Sequence, residues 1–101
     1  MERVFISGRI RGVPFCDAWM QFDRAECYFR NNGFIVWNPI KHLDSGSSWL
    51  RNMCICIKNL SKSDIVAFLS GWEHSSGCVI EHAFAKMLGK DIVYQNKFKI
   101  V

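Results

Sequence analysis

The run Asp64-Ile-Val-Ala-Phe-Leu69 constrains the fold more than any other stretch of this chain. It is short, rich in β-branched residues and almost wholly apolar, so it reads as a strand buried on both faces, as in parallel sheets. A polar loop from Ser70 to Gly77 follows. Beyond it Ile80, Ala83, Phe84, Met87 and Leu88 recur with helical spacing as far as Gly89. Ser75 or Ser76 is a natural N-cap and Gly89 a natural stop. The segment is therefore strand, loop and capped helix, with a carboxylate, Glu81, about one turn inside. In a parallel sheet such junctions sit at the strand C-terminal ends, where loops and helix N-termini surround ligands.

The rest of the chain repeats the alternation. Residues 2 to 7 form a β-rich run ended by Gly8. Asp17 to Asn31 is an amphipathic helix with Trp19, Phe22, Ala25 and Phe29 on one face, closed by Asn31-Asn-Gly33. Phe34 to Trp37 is a second strand, stopped by Asn38-Pro39. A loop from Ile40 to Ser48 holds Lys41, His42 and Asp44 without regular pattern, and His42 reads as an ordinary loop histidine. Ser47 or Ser48 then caps a helix from Trp49 to Ser61, whose stripe continues through Met53, Cys56 and Leu60. Asp91 to Tyr94 is a fourth strand, and Phe98 to Val101 a short fifth. The predicted fold is α/β: three layers, a parallel sheet of four or five strands in the order 2-1-3-4(-5), and helices on both faces. The switch point falls between strands one and three, which brings the loop Gly8–Gly12 beside Ser70–Glu81.

Length places residues 1–101 in one domain. Half the residues are hydrophobic, which excludes disorder. No apolar run nears the roughly 18 residues of a membrane span, and none follows a basic N-terminus as a signal would, so a soluble, cytoplasmic protein is expected. Five cysteines, an odd number lying mostly inside helical or strand patterns, read as reduced core thiols. Cys54-Ile-Cys56 has no second ligand pair, and no metal or cofactor is expected. The net charge of +4 weakly favours anionic partners, nucleotides included.

Two loops can cradle an anion. Gly8, Arg9, Ile10, Arg11 and Gly12 combine close backbone approach with bidentate donors, although an ordinary turn with solvated arginines has the same composition. Ser75, Ser76 and Gly77 open a helix with hydroxyls, free amides and the helix dipole. Neither a phosphate-loop lysine pattern nor Gly-x-Gly-x-x-Gly is present, which argues against nucleotide-driven motors and dinucleotide oxidoreductases. Glu81 shares a helical face with Phe84, Ala85 and Leu88, where an unused carboxylate is costly. Ionised but poorly solvated, it suits nucleophilic attack on a glycosidic carbon; the plainer alternative is a glutamate at the solvated edge of the stripe. Trp72 and His74 can stack on or hydrogen-bond a base. Loop packing is the simpler role for His74.

Val4-Phe-Ile-Ser-Gly8, Asn38-Pro39, Ser63-Asp64, Gly71-Trp-Glu-x-Ser75-x-Gly77, Glu81 and Leu88-Gly89 resemble, in order and spacing, the nucleoside 2-deoxyribosyltransferase superfamily. The resemblance spans essentially the whole chain, is closest to a small branch found in phages and bacteria, and is most specific at Ser75, Gly77 and Glu81. The chain is also similar to the 2'-deoxynucleoside 5'-phosphate N-hydrolases, through the Gly-x-Ile-Arg-Gly loop at Gly8–Gly12. The resemblance implies a flavodoxin-like fold and a homo-oligomer whose neighbouring subunits complete the sites. It implies Glu81 as the nucleophile toward the anomeric carbon, with Ser75 and Gly77 on phosphate or sugar and Ile10, Arg11 and Gly12 in the opposing loop. Three positions depart from the hydrolases. Cys56 stands where they have an aspartate, Arg9 where they have a serine, and Phe5 where they have a tyrosine. A thiol replaces an orienting or protonating carboxylate poorly.

Three functions follow in order. The first is an enzyme that cleaves or transfers the N-glycosidic bond of a deoxynucleoside or its monophosphate. The second is a nucleotide-binding protein of the same fold that has lost the chemistry and senses or sequesters its ligand. The third, a nucleic-acid-binding module, wants exposed aromatics among clustered Lys and Arg, whereas these aromatics fall on core stripes. Lys41 and Arg51 are left open as site residues, and His82 is expected to face away from Glu81.

Overall fold

The computed structural model describes residues 2–43, 46 and 48–95. Four strands, β1 (Arg3–Ser7), β2 (Ile35–Trp37), β3 (Ile65–Phe68) and β4 (Asp91–Tyr94), form a parallel sheet in the order β2-β1-β3-β4. Three helices, α1 (Phe15–Asn31), α2 (Trp49–Ser61) and α3 (Ser76–Met87), connect them. The predicted order and the two-sided helix cover are those observed. The proposed fifth strand at Phe98–Val101 lies outside the described residues.

Strand alternation sorts the core into two layers. Val4, Ile6 and Ala67 meet Phe22, Ala25 and Phe29 of α1 on one face. Phe5, Val66 and Phe68 meet Cys56 and Leu60 of α2 and Ala85 of α3 on the other. Ser7 has the parity of Phe5 and so points toward α2 and α3. Ser48 caps α2, its Oγ accepting from Arg51 N at 3.2 Å, and Ser75 caps α3.

The helix faces differ from the sequence expectation in three places. In α1 the buried stripe is Ala18, Phe22, Ala25, Glu26 and Phe29, while Trp19 is 40% exposed. Trp49 is also exposed, and Trp19 lies beside the fully buried Ala18 and Phe22 but turned off their stripe, under Lys41 Nζ. In α3 the buried stripe is Cys78, Glu81 and Ala85; Ile80 and Phe84 flank it half-buried, and Ala83, Met87 and Leu88 face outward. The cysteines divide likewise. Cys56 and Cys78 are buried thiols, whereas Cys16, Cys27 and Cys54 are exposed, which corrects the expectation of core thiols for those three. Short 3-10 turns at Pro39–Lys41 and Trp72–His74 are additions that the periodicity did not show.

Candidate functional site

β1 and β3 are neighbours, with Ser7 opposite Phe68, so the loops that leave them emerge side by side at the strand C-terminal ends. Leu69 N donates to the Ser7 carbonyl at 2.8 Å. Gly8 packs closely beneath them: an added Cβ would lie 2.9 Å from both Leu69 Cδ1 and Phe22 Cζ of α1. The expected juxtaposition is present, and Gly8 is required by packing there. Asp64 sits at the opposite end of β3, accepting from Arg3 N at 2.9 Å, and so serves sheet pairing.

The loop after β1 folds on itself. Arg9 Nε donates to the Arg11 carbonyl at 3.0 Å, and its guanidinium lies over Gly12, whose φ of +78° an L side chain rarely adopts. Ile10 packs half-buried against the α1-side core. Arg11 and Gly12 are exposed.

On the other side of the rim, α3 starts at the Ser75 cap, with Cys78 N donating to Ser75 Oγ at 3.4 Å. Ser76 is exposed. Gly77 lets α2 approach closely, an added Cβ meeting Met53 Sδ at 3.1 Å.

Glu81 is 5% exposed. Ser7 Oγ donates to its Oε1 at 2.6 Å, a bond between elements 74 residues apart, and the Cys56 thiol also hydrogen-bonds the carboxylate. Burial pushes the Glu81 carboxyl up to about 7, against the lowering effect of those two donors. Burial and the facing carboxylate raise the Cys56 thiol, keeping it protonated and able to donate. Cys78, raised by burial, hydrogen-bonds Ser7 and Ser75. Ser7, Cys56, Cys78 and Glu81 thus form one buried polar cluster, drawn from β1, α2 and α3, with the half-buried Ser75 cap at its edge. Of these, sequence reasoning had singled out Glu81, Ser75 and Cys56. Ser7 and Cys78 were missed, and the signal for Ser7 was its strand parity with Phe5.

Trp72 is half-buried in an aromatic group and does not stand free. Its ring stacks on His82 (4.4 Å, 22°) and lies 5.0 Å from Phe68 and 6.0 Å from Tyr94. His82 is 2.7 Å from the Tyr94 hydroxyl. A cavity of about 400 Å³ opens beside this group, lined by Phe68, Ser70, Trp72, Glu73, Tyr94 and Gln95 among others. His74 is exposed, and His42 stacks on Trp37. Lys41, left open by sequence, is committed elsewhere: its Nζ bridges Asp23 (3.2 Å) and Glu26 (3.0 Å) on α1 and lies over Trp19. Arg51 is exposed on the first turn of α2.

Among the described residues no three His, Cys, Asp or Glu side chains are grouped as a metal site would need, and no helix is long and apolar enough to cross a membrane.

The fold is shared with a solved structure of a 2-desoxiribosyltransferase from Leishmania mexicana. The TM-score is 0.71 at 14% identity, over 93% of this chain and 63% of that one. The flavodoxin-like architecture implied by the sequence motifs is therefore the one observed, and the resemblance to deoxyribosyltransferases is borne out in the fold. This chain spans under two thirds of that protein's length. No curated protein matches the chain. A family model described as a domain of unknown function, DUF4406, matches residues 2–94, and the chain belongs to that family.

Proposed function

We propose that this protein cleaves or transfers the N-glycosidic bond of a deoxynucleoside or deoxynucleoside monophosphate, with Glu81 as nucleophile. The observation that carries this reading is a carboxylate 5% exposed beside the C-terminal end of β1, held by the neutral donors Ser7 and Cys56. A buried carboxylate without a countercharge is poised for a carbon on which positive charge develops. A Glu81 oxygen attacks the anomeric carbon as the carbon–nitrogen bond breaks. The base leaves with that electron pair and takes a proton from water. A second water, or a second base, then attacks the same carbon, displacing Glu81 and losing its proton to the hydroxide left by the first water, which gives the free sugar or a new nucleoside. Ser75, Ser76 and Gly77 at the start of α3 receive phosphate or sugar hydroxyls, with Arg9, Ile10, Arg11 and Gly12 opposite and Trp72 toward the base. The chain acts as one domain in a homo-oligomer, for which Phe15, Met20 and Leu50 supply exposed apolar surface.

Cys56 favours a second reading, a nucleotide-binding protein that has lost its chemistry. The thiol is raised by burial and so supplies little acid to a leaving base. The deciding experiment is chromatographic detection of free base from a panel of deoxynucleosides and their monophosphates. Wild type, Glu81→Ala and Cys56→Asp run side by side. Base release by wild type that falls more than about 1000-fold in Glu81→Ala is the expected result. Full-rate release by Glu81→Ala refutes the assignment, and release by Cys56→Asp alone supports the binding protein.

A further inference from the structure

We propose that Ser7 is the positioning residue for Glu81: from the end of β1, its hydroxyl fixes the direction in which the carboxylate is presented. The inference rests on Glu81 as the reacting group and adds a residue that the motif resemblance did not assign a role.

Position 7 continues a run, Val4-Phe-Ile6, in which every side chain is fully buried, and it is itself 1% exposed. An apolar residue would fit that run better, because a buried hydroxyl without a partner is destabilising. Ser7 has its partner in Glu81 Oε1, at 2.6 Å. That length is typical of a hydroxyl donating to a charged oxygen, the stronger class of hydrogen bond. The two ends differ in stiffness. Ser7 has one side-chain torsion on a central strand paired on both sides, whereas the glutamate has three torsions on a helix. The strand therefore sets the geometry and the glutamate follows it.

The surroundings provide no substitute. The titratable groups facing Glu81 are the Cys56 thiol from α2 and the Cys78 thiol from its own helix. Both are raised by burial, both are neutral, and thiols are weak donors. None of the described salt bridges involves Glu81. Ser7 also contacts Cys78, which in turn reaches the Ser75 cap, so the hydroxyl ties the carboxylate to the first turn of α3.

The test reads Glu81 directly, by carbon-13 NMR titration of glutamate-labelled protein without substrate, in wild type, Ser7→Ala and Ser7→Thr. Ser7→Ala is expected to raise the Glu81 midpoint by about one pH unit, since the ionised form loses its strongest donor. Ser7→Thr, which keeps the hydroxyl, is expected to restore it. With a substrate in hand, Ser7→Ala should lower kcat by roughly 10- to 100-fold and move the ascending limb of the pH–rate profile upward, with KM changed less than about threefold. If Ser7→Ala does not fold, Ser7→Cys retains the volume with a weaker donor and should show a smaller shift of the same sign. An unchanged Glu81 midpoint in a folded Ser7 variant overturns the proposal, as does a raised KM with kcat untouched. A shifted midpoint in a protein that releases no base supports the hold of Ser7 on Glu81 and overturns the glycosidic reading instead.

Discussion

Replacing Glu81 with glutamine should make the protein more stable above neutral pH and leave it nearly unchanged in acid. In the folded state the Glu81 carboxyl keeps its proton up to about 7, mainly because burial disfavours the charge, against 4.5 for the unfolded chain. The folded state therefore binds more protons than the unfolded state between those values, and stability falls as pH rises through them. The stabilising preference is complete below about pH 4.5, and is lost once the folded carboxyl has ionised above about 7. At about 1.4 kcal/mol per pH unit, the gap is worth about 3 kcal/mol. Glutamine carries no charge to desolvate and can still accept from Ser7, so the variant lacks this slope. Urea unfolding followed by tryptophan fluorescence, at pH 4.5 and pH 8, isolates the effect as the difference between the two proteins. Wild type should lose about 3 kcal/mol more than Glu81→Gln between those conditions, equivalent to 12 °C or more in Tm at roughly 4 °C per kcal/mol. Parallel losses, within about 0.5 kcal/mol, would show that Glu81 is solvated and would remove the physical basis of the site.

Two further substitutions test the frame around it. Gly8→Ala should cost about 1–3 kcal/mol in the same urea assay, because its Cβ would stand 2.9 Å from Leu69 and Phe22, both fully buried and unable to yield. Burial alone would raise Glu26, but hydrogen bonds from Arg30, Asn38 and Lys41 outweigh it and bring the carboxyl to about 2. That stability is present above about pH 4.5 and is lost as pH falls through about 2. With Arg30 53% and Lys41 38% exposed, solvent screening reduces it to about 1 kcal/mol. Glu26→Gln should flatten the acid limb by that amount in urea titrations between pH 4.5 and 2.

The fold was legible because each element carries its own punctuation. The serine caps, the glycines after helices and the short apolar runs marked type and boundaries, and the alternation of strand and helix pointed to a parallel sheet. The face of α3 was not legible from hydropathy. Its buried stripe is Cys78, Glu81 and Ala85, so the large apolar residues mark the flanks instead of the centre. Trp19 misled for a related reason: the buried stripe of α1 runs through the small Ala18 and the charged Glu26, so the large tryptophan beside it draws the apolar face one position off. At the site, Glu81 was legible as a carboxylate among apolar residues. Ser7 was not, since a serine at the end of a strand looks like the start of a turn. Its role depends on a helix 74 residues away.

The two buried glutamates of this chain show how differently a carboxylate can be treated. Glu26, on α1, is given a guanidinium, an ammonium and an amide, which hold it ionised and neutralise it in place. Such a group fastens the turn after β2 to the helix, and has little left to offer a ligand. Glu81 is given one hydroxyl and one thiol. Neutral donors orient a carboxylate without cancelling its charge, so its ionised form gains most when a positive centre arrives. A structural role needs only the first arrangement, and a helix stripe needs neither, since leucine at position 81 would bury well between Cys78 and Ala85. Retaining an uncompensated carboxylate there, at about 3 kcal/mol above neutral pH, is the kind of local conflict that stability alone does not explain. On the proposed reading, the cationic sugar carbon of the transition state is the missing countercharge.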